Sequence, residues 1–223
     1  MIFLFCDEAG KDFLHVKGEL HKYIVKVRRH KVGDEIAFRN KEDINSLHIY
    51  TITEISPKKA TFELLESKNL VVKAKTNLHV GWCVIDIKSV EKVLPTLNEL
   101  GVDKISFIYC DRSQKNIKLD FKRFERILEA SMQQCGRSEF MKFDTFKSIE
   151  DFIKLNPDTK VLDFCNNVLK SGDGFKTVLV GCEGGFSQNE KEYLSKQDVF
   201  RLDTPMVLRS ESAVVSIASK ILV

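Results

Sequence analysis

The sequence lacks the features that mark membrane, secreted and strongly polyanion-binding proteins. It has no apolar run long enough to cross a bilayer, and its beginning lacks the basic segment and apolar stretch of a signal peptide. A large excess of charge of one sign is also missing, because 35 Lys and Arg nearly balance 32 Asp and Glu. We therefore expect a cytoplasmic globular protein that contacts no membrane, on which any nucleic-acid surface is local.

Closely spaced cysteine pairs are absent as well. The six cysteines are scattered along the chain, at Cys6, Cys83, Cys110, Cys135, Cys165 and Cys182. Zinc and redox sites need a close spacing such as C-x-x-C, so we predict reduced, mostly buried thiols and no metal. The five histidines lie in the N-terminal part of the chain or at its edge, and we assign none to catalysis.

Residues 1–72 have the pattern of a small β-rich domain. Short apolar runs at 35–38, 47–55 and 60–65 alternate with polar positions, and Pro57 marks a turn between two of them. The pattern predicts a small barrel or meander.

One segment of this domain has helical periodicity instead. Leu20, Ile24 and Val27 recur at helical spacing and predict a buried stripe. The stretch 17–31 contains six Lys or Arg against one acid, Glu19. We therefore predict a short amphipathic helix with a basic outer face.

Residues 73–223 alternate strands with helices, which is typical of an α/β domain with a mainly parallel sheet. We predict strands at 78–87, 104–110, 160–164, 177–181 and 199–202. We predict helices at 89–100, 121–135, 149–155, 188–195 and 211–222. Pro95 is discordant within the first of these helices, so that helix is expected either to start late or to bend.

A glycine-rich loop follows the predicted strand 177–181. Residues 178–190 read VLVGCEGGFSQNE, in which Ser187 and Glu190 have the spacing of a capping box. Such a turn lets backbone approach a ligand and points amide groups at it. It matches neither a dinucleotide fingerprint nor a Walker A loop, so a plain strand-to-helix turn is the alternative.

A second segment leads into the last helix. Residues 202–222 read LDTPMVLRSESAVVSIASKIL, and the predicted buried stripe of the helix consists of Val214, Ile217, Ala218 and Ile221. Arg209 and Glu211 therefore lie at the helix N-terminus rather than in the core. A surface charge pair that contributes little is the alternative interpretation of these two residues.

Together, the two segments resemble the paired C-terminal motifs of the RsmE family, SPOUT-class methyltransferases that modify small-subunit ribosomal RNA. Further motifs of this family occur in the same order upstream, namely His21, Val27-Arg28, Gly33-Asp34, Asn98–Val102, Asp111–Ser113 and Gln133–Arg137. The chain departs from the family at Cys182, where relatives usually have Pro, and at Asp203, where they have Gly. The resemblance covers nearly the whole chain.

The resemblance implies a PUA-like β-barrel over residues 1–72, a knotted SPOUT α/β domain (a trefoil knot) over 73–223, and a homodimer. It implies that S-adenosylmethionine binds in the knot cleft, largely through the backbone of Leu162, Val180, Gly181, Cys182, Glu183, Gly184, Leu202, Val207 and Leu208. The implied reaction methylates N3 of a uridine in 16S ribosomal RNA, free or in the small ribosomal subunit.

Uracil N3 carries a proton that must leave, so the site needs a base or a cation that stabilises the anion. Arg209 and Glu211 are the catalytic candidates. The RNA-binding candidates, for which solvated helix faces are the alternative, are Lys22, Lys26, Arg28, Arg29, Arg112 and Arg137. Two other functions remain open: methylation of another RNA or of a ribose 2′-hydroxyl, and RNA binding without catalysis.

Overall fold

The computed structural model describes residues 2–114, 116–170 and 174–223. Their contacts divide the chain into two compact units. The first extends to Lys73 and includes Met132–Glu139, and the second comprises Ala74–Ser131 and Phe140–Val223. Within the described ranges, no helix combines the length and the apolar character needed to cross a membrane.

The first unit contains a five-stranded half-barrel sheet in the order β1-β3-β4-β5-β2. The strands are β1 (Leu4–Phe5), β2 (Phe13–Lys17), β3 (Glu35–Arg39), β4 (Ser46–Ile55) and β5 (Lys59–Asn69). Neighbours pair antiparallel except β1 and β3. Strand alternation turns one side of the sheet inward, where Phe38 packs edge-on against Tyr50 and Phe62. The apolar runs predicted as strands at 35–38, 47–55 and 60–65 are confirmed.

The predicted amphipathic helix is only partly confirmed. Helix α1 covers Gly18–Lys22 and continues as a π-helix over Tyr23–Val27, closed by an Arg28 N–H to Tyr23 O bond of 2.9 Å. A π-turn inserts one residue per turn and so rotates the positions that follow it. Ile24 is buried as predicted, but Val27 is 65% exposed, so the predicted stripe is wrong at that position.

The second unit is built on six parallel strands in the order β11-β9-β10-β6-β7-β8. These strands are β6 (His79–Cys83), β7 (Lys104–Ile108), β8 (Lys142–Phe146), β9 (Lys160–Leu162), β10 (Thr177–Val180) and β11 (Asp198–Phe200). The helices are α2 (Ile87–Leu100), α3 (Phe121–Cys135), α4 (Ile149–Leu155), α5 (Gln188–Leu194) and α6 (Ser210–Leu222). The predicted parallel α/β sheet is confirmed, and β8 is the strand that the prediction missed.

The first helix of this unit starts earlier in the structure than predicted. Helix α2 begins at Ile87, capped by the Asp86 side chain, and runs through Pro95. Of the two alternatives expected for this helix, a late start or a bend, the late start is wrong. Gly101 ends this helix with φ +97, a left-handed conformation that suits glycine. The other predicted helices are correct to within one residue at either end.

The strand order determines where a ligand can bind in this unit. From β6 the chain proceeds to β7 and β8 on one side, and then to β9, β10 and β11 on the other. In an open parallel sheet such a reversal leaves a crevice outside the carboxyl ends of the strands. The loops that follow β9, β10 and β11 are therefore the elements that form a site.

Candidate functional site

A pocket of about 520 Å³ lies at the carboxyl ends of β9 and β10. Three loops form most of it: those that follow β9 and β10, and the one that joins β11 to α6. Its size falls within the usual range for small-molecule sites. The two late sequence segments are thus brought together, as the sequence predicts.

Every residue predicted to hold the cofactor lines this pocket. They are Leu162, Val180, Gly181, Cys182, Glu183, Gly184, Leu202, Val207 and Leu208. Gly185 has φ +66, and this left-handed conformation turns the loop from β10 toward α5. The backbone of the glycine-rich loop therefore lies at the pocket wall, which the predicted mode of binding requires.

A buried hydrogen-bond chain joins the glycine-rich loop to the N-terminus of α6. The indole Nε1 of Trp82 donates to Ser210 Oγ over 2.8 Å, and Ser210 Oγ donates to the carbonyl oxygen of Gly181 over 2.5 Å. Trp82 is fully buried and Ser210 is 5% exposed. Strand β6 thereby fixes both loops from beneath the pocket.

The capping box of α5 is confirmed and also binds a neighbouring loop. Glu190 Oε2 accepts the Ser187 N–H at 2.7 Å, and Glu190 Oε1 accepts the Asp111 N–H at 2.8 Å. Ser187 Oγ accepts the Glu190 N–H and donates to the Asp111 carboxylate at 2.6 Å. Burial raises the pKa of Glu190, although these backbone amides oppose the shift.

Arg112 follows Asp111 in the loop after β7 and lies at the pocket. Its Nη1 donates to the Gly184 carbonyl oxygen at 2.6 Å, and its side chain lines the pocket. A Cβ on Gly184 would come within 3.3 Å of Arg112 Cδ, so glycine leaves room for this approach. Arg112 is exposed and contacts the glycine-rich loop, and its predicted RNA contact stays a prediction.

Three of the cysteines, distant in sequence, lie together behind this loop. Cys110 Sγ and Cys182 Sγ are 3.7 Å apart, and both are buried together with Cys83. None of the six cysteines, all of which lie in the described ranges, forms a disulfide, and the other three are half-buried. Burial raises the pKa of Cys83 well above its ordinary value, which keeps this thiol protonated. Three of the six thiols are therefore buried, and their reduced state stays a prediction. The cysteines that lie together are far apart in sequence, so their spacing gave no signal of this contact.

The two catalytic candidates occupy different surroundings. Arg209 is the N-cap residue of α6, is exposed and lines the pocket. Glu211 lies in the first turn of α6, half-exposed, and is not part of the pocket lining. Across the described ranges, no ion pair joins Arg209 to Glu211, so the alternative of a surface charge pair is not supported. The geometry favours Arg209 over Glu211.

Several lining residues were not predicted as part of the site. They include Asp163, Phe164, Lys191, Arg201, Thr204, Met206 and Ser210. Lys191 and Asp163 form an ion pair of 3.2 Å. Because Asp163 directly follows β9 and Arg201 directly follows β11, their positions at strand ends were the signal that could have identified them.

The remaining RNA-binding candidates fall into two groups. Lys22, Lys26, Arg28 and Arg29 are all exposed in the first unit, as predicted for a basic surface. Arg137 is only 5% exposed, which is inconsistent with phosphate contact, so it is removed from the predicted RNA surface. In the described part of the chain, no group of three His, Cys, Asp or Glu could hold a metal ion.

Comparison with known proteins shows similarity over nearly the full length. Residues 72–222 match the RNA methyltransferase domain family. The chain is 39% identical to ribosomal RNA small subunit methyltransferase E from Helicobacter pylori, with 98% of each protein covered. It is 24% identical to a protein named ribosomal RNA small subunit methyltransferase E 2 from Borreliella burgdorferi, with 93% of this chain and 89% of that protein covered.

Solved structures share the fold. Ribosomal RNA small subunit methyltransferase E from Neisseria gonorrhoeae, solved with S-adenosylmethionine, superposes with a TM-score of 0.74 at 18% identity, covering 98% of this chain and 96% of that one. A Legionella pneumophila protein, also solved with this cofactor, gives a TM-score of 0.78 at 19% identity, covering 98% and 95%.

The contacts of Ser187 generate a prediction that separates helix capping from loop attachment. Ser187→Ala removes an N-cap and the bond to Asp111, so we expect a loss of about 1 kcal/mol in the free energy of unfolding and faster hydrogen exchange at the Asp111 amide. Ser148 also caps a helix, by accepting the Asp151 N–H at 3.1 Å. Ser148→Ala is the matched control, expected to lose similar stability. If both variants leave Asp111 exchange unchanged, Ser187 does not hold the loop.

Proposed function

Because the chain belongs to the ribosomal RNA small subunit methyltransferase E family, and is thereby an S-adenosylmethionine-dependent RNA methyltransferase, we propose that it methylates N3 of a uridine in 16S ribosomal RNA. The observation that carries the proposal is the pocket in which the two late loops meet, with Arg209 at its wall. The similarity of these loops to the paired family motifs supports the uracil N3 position. The small ribosomal subunit or its free RNA is the proposed partner, in the cytoplasm.

The residues present fit S-adenosylmethionine. Apolar side chains from Leu162, Val180 and Leu208 offer a surface for a purine ring, and the glycine-rich loop brings backbone groups to the same wall. The bound cofactor supplies an electrophilic methyl group on a sulfonium. The protein itself must hold cofactor and nucleobase at attack distance and exclude water, which is the principal requirement for an in-line displacement.

Arg209 is the proposed catalytic residue. Uracil N3 gives up its proton to solvent, negative charge develops on the ring, and a guanidinium at the pocket wall stabilises that charge. The backbone N–H groups at the start of α6 add a positive dipole on the same side. Glu211, in the first helical turn, has the ordinary role of an acid that favours the helix N-terminus.

The finer architecture is also part of this proposal. We infer a trefoil knot in the second unit, supported by the β-bridge between Val168, in the loop after β9, and Arg201, after β11. We infer a homodimer, supported by exposed apolar side chains of Phe164, Met206 and Val207 at the pocket. The half-barrel sheet supports a PUA-like domain over residues 1–72 and a SPOUT domain over 73–223.

Nucleoside mapping tests the modified atom. Small-subunit ribosomal RNA from cells that lack this gene should lack one 3-methyluridine, and the purified protein with S-adenosylmethionine should restore it. Comparing free RNA with assembled subunits in the same assay identifies the substrate. Loss of a 2′-O-methylated nucleoside instead would assign the reaction to ribose, and no change in any methylated nucleoside would leave only RNA binding.

Arg209→Ala tests the proposed catalytic group. We expect turnover to fall by roughly 10²–10³, the effect of removing one preorganised charge-stabilising donor, while calorimetry still detects cofactor binding. Glu211→Gln is the comparison, expected to leave turnover nearly unchanged. If Arg209→Ala has the turnover of the wild type, or if Glu211→Gln shows the larger loss, Arg209 is not the catalytic residue.

The exposed basic residues of the first unit should contribute to RNA affinity through phosphate contacts. For Lys22→Gln/Lys26→Gln, we expect the slope of log affinity against log salt to decrease by about 0.7–0.9 per lost contact. Lys147→Gln/Lys154→Gln removes the same charge from exposed positions of the second unit and serves as the control. Equal slopes for the two double variants would show that Lys22 and Lys26 lie outside the RNA footprint.

A further inference from the structure

We propose that Ser210 is a positioning residue for methyl transfer, which sets the separation between the loop that holds the cofactor and Arg209. The inference rests on the proposed function of this pocket. Ser210 was not among the sequence-predicted site residues. It lies between Arg209 and Glu211, at the first position of α6.

The hydroxyl of Ser210 both accepts and donates a hydrogen bond. It accepts a hydrogen bond from Trp82 Nε1 at 2.8 Å and donates one to the Gly181 carbonyl oxygen at 2.5 Å. A hydroxyl is the small side-chain group that can donate and accept in this way. Alanine can do neither, so Ser210→Ala would leave a buried indole N–H and a backbone carbonyl without this partner.

The three linked groups come from three separate parts of the pocket. Trp82 belongs to β6, Gly181 is the first residue after β10, and Ser210 opens α6. Trp82 is fully buried and its ring stacks on Phe107 with centroids 6.2 Å apart, so β6 provides a rigid reference point. Any displacement of Ser210 therefore changes the distance between Gly181 and the adjacent Arg209.

The distance between Gly181 and Arg209 matters because the two residues contact different reactants. In the proposed function, the loop at Gly181 holds the methyl donor and Arg209 faces the nucleobase. A misplacement of about 1 Å between two reactants can cost on the order of 100-fold in rate. Ser210 is buried and acts through its neighbours, so we assign it positioning rather than contact with the reacting atoms.

The chain offers a closely matched control in Ser131. This serine is also buried, in α3, and also links a side-chain donor to a backbone carbonyl: it accepts from Asn98 Nδ2 at 2.9 Å and donates to Pro95 O at 3.2 Å. Ser131 is not part of the pocket lining. Ser131→Ala thus reproduces the loss of a buried bridging hydroxyl away from the site.

The experiment compares the full-length wild type with Ser210→Ala, Ser210→Thr and Ser131→Ala. For each, S-adenosylmethionine binding is measured by calorimetry, and kcat and KM are measured on small-subunit RNA with thermal stability alongside. Both alanine variants should lose similar stability. Ser210→Ala alone should weaken cofactor binding and lower kcat at saturating substrates, each by about tenfold or more, and Ser210→Thr should recover most of the loss.

Each outcome bears on the proposal. If Ser210→Ala and Ser131→Ala have the same cofactor affinity and kcat, or if Ser210→Thr is no better than Ser210→Ala, Ser210 has a merely structural role. If the wild type itself binds no cofactor, the proposed function fails rather than this inference. Should Ser210→Ala not fold, Trp82→Phe removes the indole donor alone; an unchanged kcat in that variant would overturn the proposal.

Discussion

The arrangement of the second unit depends on one constraint, the parallel direction of all six strands in its sheet. Parallel neighbours require crossover connections, so each strand ends at the same edge and each connection leaves from there. The ends of β9, β10 and β11 are consequently close in space although Leu162 and Phe200 are far apart in sequence. Helices cover the faces, and near-continuous apolar runs such as Val178–Val180 are buried in between. The pocket forms at this edge because the loops that follow β9, β10 and β11 all leave the sheet there.

The loops at that edge are held mainly by hydrogen bonds to backbone groups. Asp111 is bound through its N–H, Gly181 through its carbonyl oxygen, and Gly184 likewise. Side-chain identity at the pocket wall is therefore less constrained than backbone position. Asp203 lies between two lining residues, and its φ is not in the left-handed region, so glycine is not required there. At Cys182 the thiol packs against Cys110, a contact that depends on a neighbour from another loop.

Local features were predictable from the sequence because they depend on neighbouring residues. The capping box at Ser187 and Glu190 is encoded within four positions, and α3 and α4 follow the bounds that apolar periodicity predicts. Features that depend on distant contacts were not predictable from the sequence. The π-turn that exposes Val27 departs from the 3.6-residue period on which the prediction rests. Strand β8 was missed because an edge strand lacks the continuous apolar run of its buried neighbours.

The start of α6 places an anchoring residue directly beside the proposed catalytic residue. Arg209 is exposed, Ser210 is buried and Glu211 is half-exposed, so consecutive residues face the pocket, the core and solvent in turn. Burial of Ser210 anchors the backbone of its neighbour, and Arg209 can then present a charge to the pocket without being enclosed itself. Under the proposed function, complete burial of this arginine would incur a desolvation penalty during folding, which conflicts with a stable structure. Placing the anchor and the charge on adjacent residues avoids that conflict, since the rigid element is neutral and the charged one remains hydrated until substrate covers it.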